Sequence, residues 1–312
     1  MSGNTVIECI IPPEWTGKTV DSFLRNELKL SRSGIRTLKK NQGIFIGGSP
    51  VWSSFKLQGG EQLKIIFPCQ RQFIQSEAVP LTILYEDNDI IVLNKPAGQV
   101  THPVRHYQSG TLANGLVDYW RRNAELAARV HPVHRLDRLT SGIILIAKSG
   151  WAHQQLTLQL GNKRIHRLYL AVCEGVPTRC SGKISLPVRQ WIPEKEFIPG
   201  ETPGVRWTVD PLGKPAVTHY RVLRTFNNAS CLAVKLMTGR THQIRVHLSH
   251  SGFPLWGDTL YGGRDLELNR PALHALRLIF FHPRSRERLK FCAEIPPDFD
   301  LLLKKLAATE NR

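Results

Sequence analysis

The sequence is poor in acid and has no long apolar run. Against 42 Lys and Arg stand only 25 Asp and Glu, a formal charge of +17. A chain so far from neutrality calls for a polyanion, so nucleic acid is the expected partner, and a merely basic soluble protein is the bland alternative. No stretch approaches the roughly 18 consecutive apolar residues of a spanning helix, and no basic amphipathic helix stands out, so no membrane partner is expected. The first residues, MSGNTVIECIIPPEW, lack a basic head followed by an apolar stretch. That reads as no secretory signal and an expected place in the cytosol.

Other signatures are missing too. The six cysteines, Cys9, Cys69, Cys173, Cys180, Cys231 and Cys292, include no CxxC pair. This argues against a zinc site and a disulfide framework and leaves them expected reduced and mostly buried. Gly17, Lys18 and Thr19 resemble the end of a phosphate loop, but Pro12 stands where its first glycine is required. Pro68 and Cys69 lack the second cysteine of a zinc deaminase, and neither GxSxG nor HExxH occurs.

What is present divides in two. The 312 residues, 41% hydrophobic, can bury one large domain and one small one. Apolar spacing predicts helices over 20–28 and 33–40, followed by short strands at 44–46 and 63–67 punctuated by Gly47, Gly48, Gly59 and Gly60. Residues 12–69 therefore form a small module. Its second helix carries Arg32, Arg36, Lys39 and Lys40 on neighbouring turns, with no acid from Lys29 to Lys40, a face suited to a phosphate backbone. A linker, QRQFIQSEAV in its middle, leads to a second domain over 80–312. There a hairpin (82–85 with 90–93), a helix after Thr111, a buried strand at 143–147 and a helix from Ser149 to Gly161 precede further strands at 169–173, 218–223, 232–236 and 278–281. The βαβ rhythm is absent, so the expected class is α+β with a mixed, largely antiparallel sheet.

Two clusters carry chemistry. His131 to Gly142, HPVHRLDRLTSG, packs His134, Arg135, Asp137 and Arg138 into a loop before a buried strand, where a rigid scaffold can present them. A lone loop Asp is usually a turn former. Here Asp137 has Arg135 and Arg138 beside it, and a guanidinium favours the charged form of a carboxylate it meets. His131, His134 and Asp137 at i, i+3 and i+6 also allow a metal-dependent nuclease, although flanking arginines repel a divalent cation. His242 and His247 are a poor second pair, because an alternating segment turns them apart. The second cluster, TGRTHQIRVHL over 238–248, sets Arg240, His242, Gln243 and Arg245 within six residues, as a polar edge strand or helix start. Paired, the clusters offer a carboxylate and its cation. Lys163, Arg164, His166 and Arg167 lead into Tyr169, the mixture of cation and ring that grips and stacks on a nucleotide.

At these residues two resemblances appear. TGKTVDSFLRNELKLSRSGIRTLKKNQGIFIGG resembles the ribosomal-protein S-four-like RNA-binding module, which implies RNA contact through its second helix. HRLDRLTSGIILIAKS and TGRTHQIRVHLSHSGFPLWGDTLYGG resemble the two signature motifs of the RluA family of pseudouridine synthases. Supporting segments follow in order: NKPAGQVTHP, KRIHRLYLAVCEG and ALHALRLIFFHP.

The resemblance implies isomerisation of uridine in structured RNA, most naturally large-subunit ribosomal RNA, with transfer RNA as the alternative. It makes Asp137 the catalytic carboxylate, Arg245 its paired arginine and Tyr169 the ring that packs on the target base. Arg135 becomes the filler of the gap left by a flipped nucleotide, and Ile244 an apolar wall of the pocket. Arg167 stands where the family carries lysine, which keeps the charge. His134, Arg240, His242 and Gln243 complete the expected substrate contacts. No cofactor and no metal are implied, and a monomer on RNA is the simplest expectation. The rival is a non-catalytic RNA-binding ribosome-assembly factor, to which Asp137 would be dispensable because a carboxylate repels phosphate.

Overall fold

Capping chemistry sets where the helices begin. In the computed structural model, which describes residues 4–68, 73–104, 107–124, 128–191, 206–264 and 268–309, the side chains of Thr19, Ser31, Thr111 and Ser149 accept the backbone N–H groups of Ser22, Gly34, Asn114 and Ala152. Each occupies a donor that the first helical turn leaves open. They start α1 (Val20–Asn26), α2 (Arg32–Lys40), α3 (Leu112–Arg122) and α4 (Gly150–Gly161).

The small module lays α1 and α2 on a four-stranded antiparallel sheet, order β1-β4-β2-β3, built from β1 (Thr5–Ile10), β2 (Ile44–Ile46), β3 (Ser49–Pro50) and β4 (Gln62–Phe67). Val20, Phe23, Leu24, Ile35 and Leu38 face the sheet, which leaves the basic side chains of α2 outward. The expected start at residue 12 omits β1, whose six residues pair with β4 from Thr5 opposite Phe67 to Ile10 opposite Gln62. That strand precedes Pro12 and Pro13, and its partner lies more than fifty residues on, so local pattern alone does not announce it.

The large domain is α+β around a ten-stranded sheet that runs β10-β13-β14-β9-β15-β8-β6-β5, with β16 beside β15 and β7 beside β8. Its strands are β5 (Ile83–Glu86), β6 (Ile90–Lys95), β7 (His131–Pro132), β8 (Ser141–Ala147), β9 (His166–Glu174), β10 (Ser181–Ser185), β13 (Val217–Thr225), β14 (Ala229–Leu236), β15 (Leu273–Phe281) and β16 (Arg288–Cys292). A separate ribbon pairs β11 (Val188–Gln190) with β12 (Trp207–Val209). Two further helices, α5 (Gln243–His250) and α6 (Pro297–Thr309), complete the chain. Among the described residues every pairing in the large sheet is antiparallel except β8 with β15.

Strands β6 and β8 are apolar runs without alternation because both their faces are covered. Ile91, Leu93, Ile144 and Ile146 pack under Leu112, Leu116 and Trp120 of α3. Ile90, Val92, Ile143 and Leu145 belong to the opposite core, which continues through Trp151 and Phe280 into the small module's Phe23, Leu38 and Leu63. Polar ties reinforce that junction: Gln155 Nε2 donates to Leu28 O at 3.1 Å and Arg284 Nη1 to Val6 O at 3.0 Å.

One packing detail positions the site. Ser141 and Gly142 pair with His274 and Ala275, and at Gly142 (φ 113°) an added Cβ would lie 2.3 Å from Ala275 O. Only glycine allows the chain to turn into β8 so close to β15. The cysteines depart from expectation: Cys173 and Cys231 are buried, but Cys180 and Cys292 are exposed, Cys9 is half-buried and Cys69 lies outside the described residues. Residues 1–3 and 70–72, part of the sequence-based reading of leader and linker, also lie outside them. Among the described residues no helix is long and apolar enough to cross a membrane.

Candidate active site

The loop between β7 and β8 carries Asp137, and it is held from behind. Gly98 N–H donates to Arg138 O at 2.8 Å. Lys95, at the end of β6 and 0% exposed, sends its ammonium to the carbonyls of Pro96 (2.8 Å), Gln99 (2.9 Å) and Arg138 (3.2 Å). Three acceptors match its three protons. Burial pulls Lys95 down to about 7, with Asp137 drawing it back up. Within the loop, Thr140 N–H donates to Asp137 O at 3.0 Å.

In front of the loop opens a cleft of about 1000 Å³. All ten cleft residues nominated from the sequence line it: His134, Arg135, Asp137, Arg167, Tyr169, Arg240, His242, Gln243, Ile244 and Arg245. Arg167 and Tyr169 share one face of β9 through the two-residue period. Ile244 and Arg245 sit on the first turn of α5. The four basic residues of α2 are elsewhere, exposed on the small module, and Lys39 is tied to Asp21 at 2.8 Å.

The geometry decides which guanidinium meets Asp137. Its flanking arginines turn away: Arg135 Nη2 donates to Thr241 Oγ1 at 3.1 Å, and Arg138 lies 5.8 Å from the Tyr107 ring. The guanidinium that meets Asp137 is Arg245, with Nη1 3.8 Å from Oδ2. Arg245 is itself fixed by Asp258, to which Nε and Nη2 donate at 2.8 Å each, and its Cζ lies 4.8 Å from the centre of the Tyr261 ring. Burial alone would weaken its charge, but the Asp258 hydrogen bonds outweigh that and raise it. The fork thus spends two nitrogens on a structural partner and points the third at Asp137.

The second cluster is a helix preceded by a turn, not an alternating segment. His242 takes φ 55° at the head of α5, which aims its ring into the cleft side of the turn, where Nδ1 meets Tyr261 OH at 2.8 Å. Burial lowers its basicity, with Asp137 opposing. His247 lies in the interior, bound to Thr218 Oγ1 and Leu186 O at 2.9 Å each. Gln243 is committed to scaffold: Oε1 accepts from Thr238 Oγ1 and Arg240 N, while Nε2 donates to Val217 O and Thr218 Oγ1. No amide group is left for a substrate. Arg240 Nε donates to Pro215 O at 3.2 Å and remains exposed.

In the wall of the cleft, Tyr169 is 4% exposed and burial raises its phenol. His134 is buried with both ring nitrogens unpartnered, and burial, then Arg167, pushes it down to about 3. Arg167 reaches Thr238 O at 3.4 Å and keeps a buried Nε without a partner. His131 stacks on His153 at 5.4 Å, so the i, i+3, i+6 set does not converge. Among the described residues no three His, Cys, Asp or Glu side chains gather in a metal-holding group.

Sequence reasoning missed Lys95, Asp258 and Tyr261. All three stand in segments it had singled out, NKPAGQVTHP and GDTLYGG, but a residue that serves another side chain leaves no periodicity.

Comparison with known proteins accords with this arrangement. Residues 89–250 match the model described as RNA pseudouridylate synthase, and residues 7–63 the RluD ribosomal pseudouridine synthase N-terminal domain. The chain is 36% identical over 305 residues to the uncharacterized RNA pseudouridine synthase YlyB of Bacillus subtilis (strain 168), covering 96% of this chain and 98% of the relative. It is 37% identical over 294 residues to ribosomal large subunit pseudouridine synthase D of Pasteurella multocida (strain Pm70), covering 89% and 87%. Human RNA Pseudouridylate Synthase Domain Containing 4 shares the fold at TM-score 0.59 and 25% identity, over 72% of this chain and 93% of that one. With both domains matched in order and relatives that span nearly its whole length, the chain belongs to the RNA pseudouridine synthases, of the RluA/RluD type with the RluD N-terminal domain.

Proposed function

We propose that Asp137 is the catalytic carboxylate and that the substrate is uridine in large-subunit ribosomal RNA, modified in the cytosol. The observation that carries the first part is the meeting of Asp137, Arg245 and Tyr169 in one cleft, from three elements separated in sequence. The second part is supported by relatives named as large-subunit enzymes, 36–38% identical over most of their length.

A uridine in folded RNA must leave the stack, at a cost of a few kcal/mol, before its glycosidic bond can be reached. Arg135, exposed at the rim, offsets part of that by filling the gap. Asp137 then acts on the ribose, by attack at the anomeric carbon or by drawing off the neighbouring proton, and the bond to ring nitrogen 1 breaks. The freed ring rotates against Tyr169, with Ile244 as an apolar wall, and carbon 5 bonds to the ribose as the bond to Asp137 breaks or, in the second route, as the abstracted proton returns to the sugar. The carbon 5 proton leaves and nitrogen 1 gains one, so the atoms balance without a co-reactant. Arg167 and His134 line the cleft that would receive the uracil. On the small module, Arg32, Arg36, Lys39 and Lys40 hold the RNA backbone.

The test is tritium release from RNA labelled at carbon 5 of uridine. The wild type should release label from large-subunit ribosomal RNA transcripts, while Asp137→Asn should be slower by at least about 10³-fold at unchanged RNA binding. Equal release by both proteins would remove Asp137 from the chemistry. Release from transfer RNA alone would replace the substrate.

A further inference from the structure

His242 is a non-glycine residue held at φ 55°, a conformation that L side chains adopt at a cost and keep where the surroundings enforce it. What enforces it is a chain of hydrogen bonds with one direction. The backbone N–H of Trp207, on β12, donates to the Tyr261 phenol oxygen at 2.9 Å. A backbone N–H can only donate, so Tyr261 accepts there. Its own proton then has one partner among the described residues, His242 Nδ1 at 2.8 Å. With Nδ1 accepting, the proton of the neutral imidazole sits on Nε2. That nitrogen faces Asp137 Oδ2 at 4.0 Å.

The opposite tautomer fails twice. It would leave the phenol proton without an acceptor among the described residues, and it would aim the Nε2 lone pair at a carboxylate. The charged and titratable groups around His242 are Asp137, Arg245, Asp258 and Tyr261, and burial in their midst disfavours the doubly protonated ring. Arg245 Nη1 approaches the same oxygen at 3.8 Å, so for both groups the nearer carboxylate oxygen is Oδ2 rather than Oδ1.

Building on Asp137 as the catalytic carboxylate, we infer that His242 is a positioning residue, locked by Tyr261 as its Nε2–H tautomer. With Arg245 it holds Asp137 Oδ2 and presents Oδ1 as the oxygen that meets the ribose. The two separations exceed hydrogen-bond length, and they close when substrate displaces water from the cleft. The β11 and β12 ribbon, distant in sequence from both motifs, thereby reaches the reacting carboxylate through two side chains.

Nitrogen-15 NMR of the full chain labelled at histidine reads the tautomer directly. The expected spectrum has His242 protonated at Nε2 at neutral pH, with mixed tautomers in Tyr261→Phe. A proton on Nδ1 in the wild type overturns the inference. In single-turnover kinetics on RNA, His242→Ala should lose about 10- to 100-fold in kcat at unchanged KM, the loss of one hydrogen bond to a charged group. His242→Gln, whose amide reaches the Nε2 position, should recover most of it. His242→Gly, at ease at φ 55°, should keep the thermal midpoint yet lose kcat as His242→Ala does, which a purely structural role would not produce. Full kcat in His242→Ala, or no recovery in a folded His242→Gln, also overturns it. Full activity in Asp137→Asn would instead sink the carboxylate reading on which this rests, while an Nδ1–H ring beside an inactive Asp137→Asn sinks the His242 inference alone.

Discussion

On α2, Arg32, Arg36 and Lys40 stand exposed and make no ion pair among the described residues, whereas Arg245 and Arg167 in the cleft, and Lys95 behind its loop, are each less than a tenth exposed. The same kind of charge is used for different ends. Exposed cations keep their hydration and their freedom, so they attract a backbone without fixing where it lies, and salt screens them. Buried cations lose hydration that fixed acceptors must replace: Asp258 for Arg245, three carbonyls for Lys95. In exchange their direction is set before any substrate arrives.

The sharpest way to break this contrast is Asp258→Ala. It strands Arg245 in the interior, so about 3–5 kcal/mol of stability should vanish in a urea titration, together with activity. A loss below ~1 kcal/mol, the range of surface pairs, would make the cleft charges no different from those on α2. Lys95→Met comes next: it leaves the carbonyls of Pro96, Gln99 and Arg138 unmet, for about 1–3 kcal/mol by the same titration.

Acid sharpens the contrast further. Burial holds His131, His134 and His274 down to about 4, 3 and 4, from 6.5. Below 6.5 the unfolded chain therefore binds more protons than the folded one. Their contribution is complete above that pH and falls away toward 4, so the thermal midpoint should drop steadily across this window. His274→Asn, with Ser141 Oγ still in reach, should flatten the slope. The smallest effect on stability belongs to α2. Replacing Arg32, Arg36, Lys39 and Lys40 by Ala should leave kcat unchanged and stability within about 0.5 kcal/mol. It should raise KM and flatten the salt dependence of binding by about 0.7 per lost phosphate contact.

The same division runs through what could be read in advance. Elements made by neighbours in sequence were legible: a helix after Thr111, Ser149 as a cap, Gly161 as the end of α4, the apolar run of β8, the hairpin of β5 with β6. Ten of the residues that line the cleft were legible in advance, Ile244 through the family resemblance and the others as polar side chains crowded beside buried strands, which have few structural reasons to be there. Their division of labour was not. Gln243 and Asp258 carry no mark distinguishing a scaffold residue from one facing substrate, since both are defined by partners reached only after folding. The arginines beside Asp137 are its neighbours in sequence but not its ion-pair partners, because Arg135 is held by Thr241 and Arg138 lies near the Tyr107 ring. Strand β1 and the parallel pairing of β8 with β15 depend on segments far along the chain.

That parallel pairing bears on the order in which the enzyme is made. Strand β15 lies between β9 and β8, so a segment near the end of the chain joins the half that carries Asp137 to the half that carries Tyr169. A growing chain already contains Asp137, Tyr169 and Arg245 well before residue 273 emerges, yet has no central strand to unite them. Roughly the last eighth of translation acts as a keystone, and a ribosome that stalls just before it releases a chain with every reacting group and no enzyme.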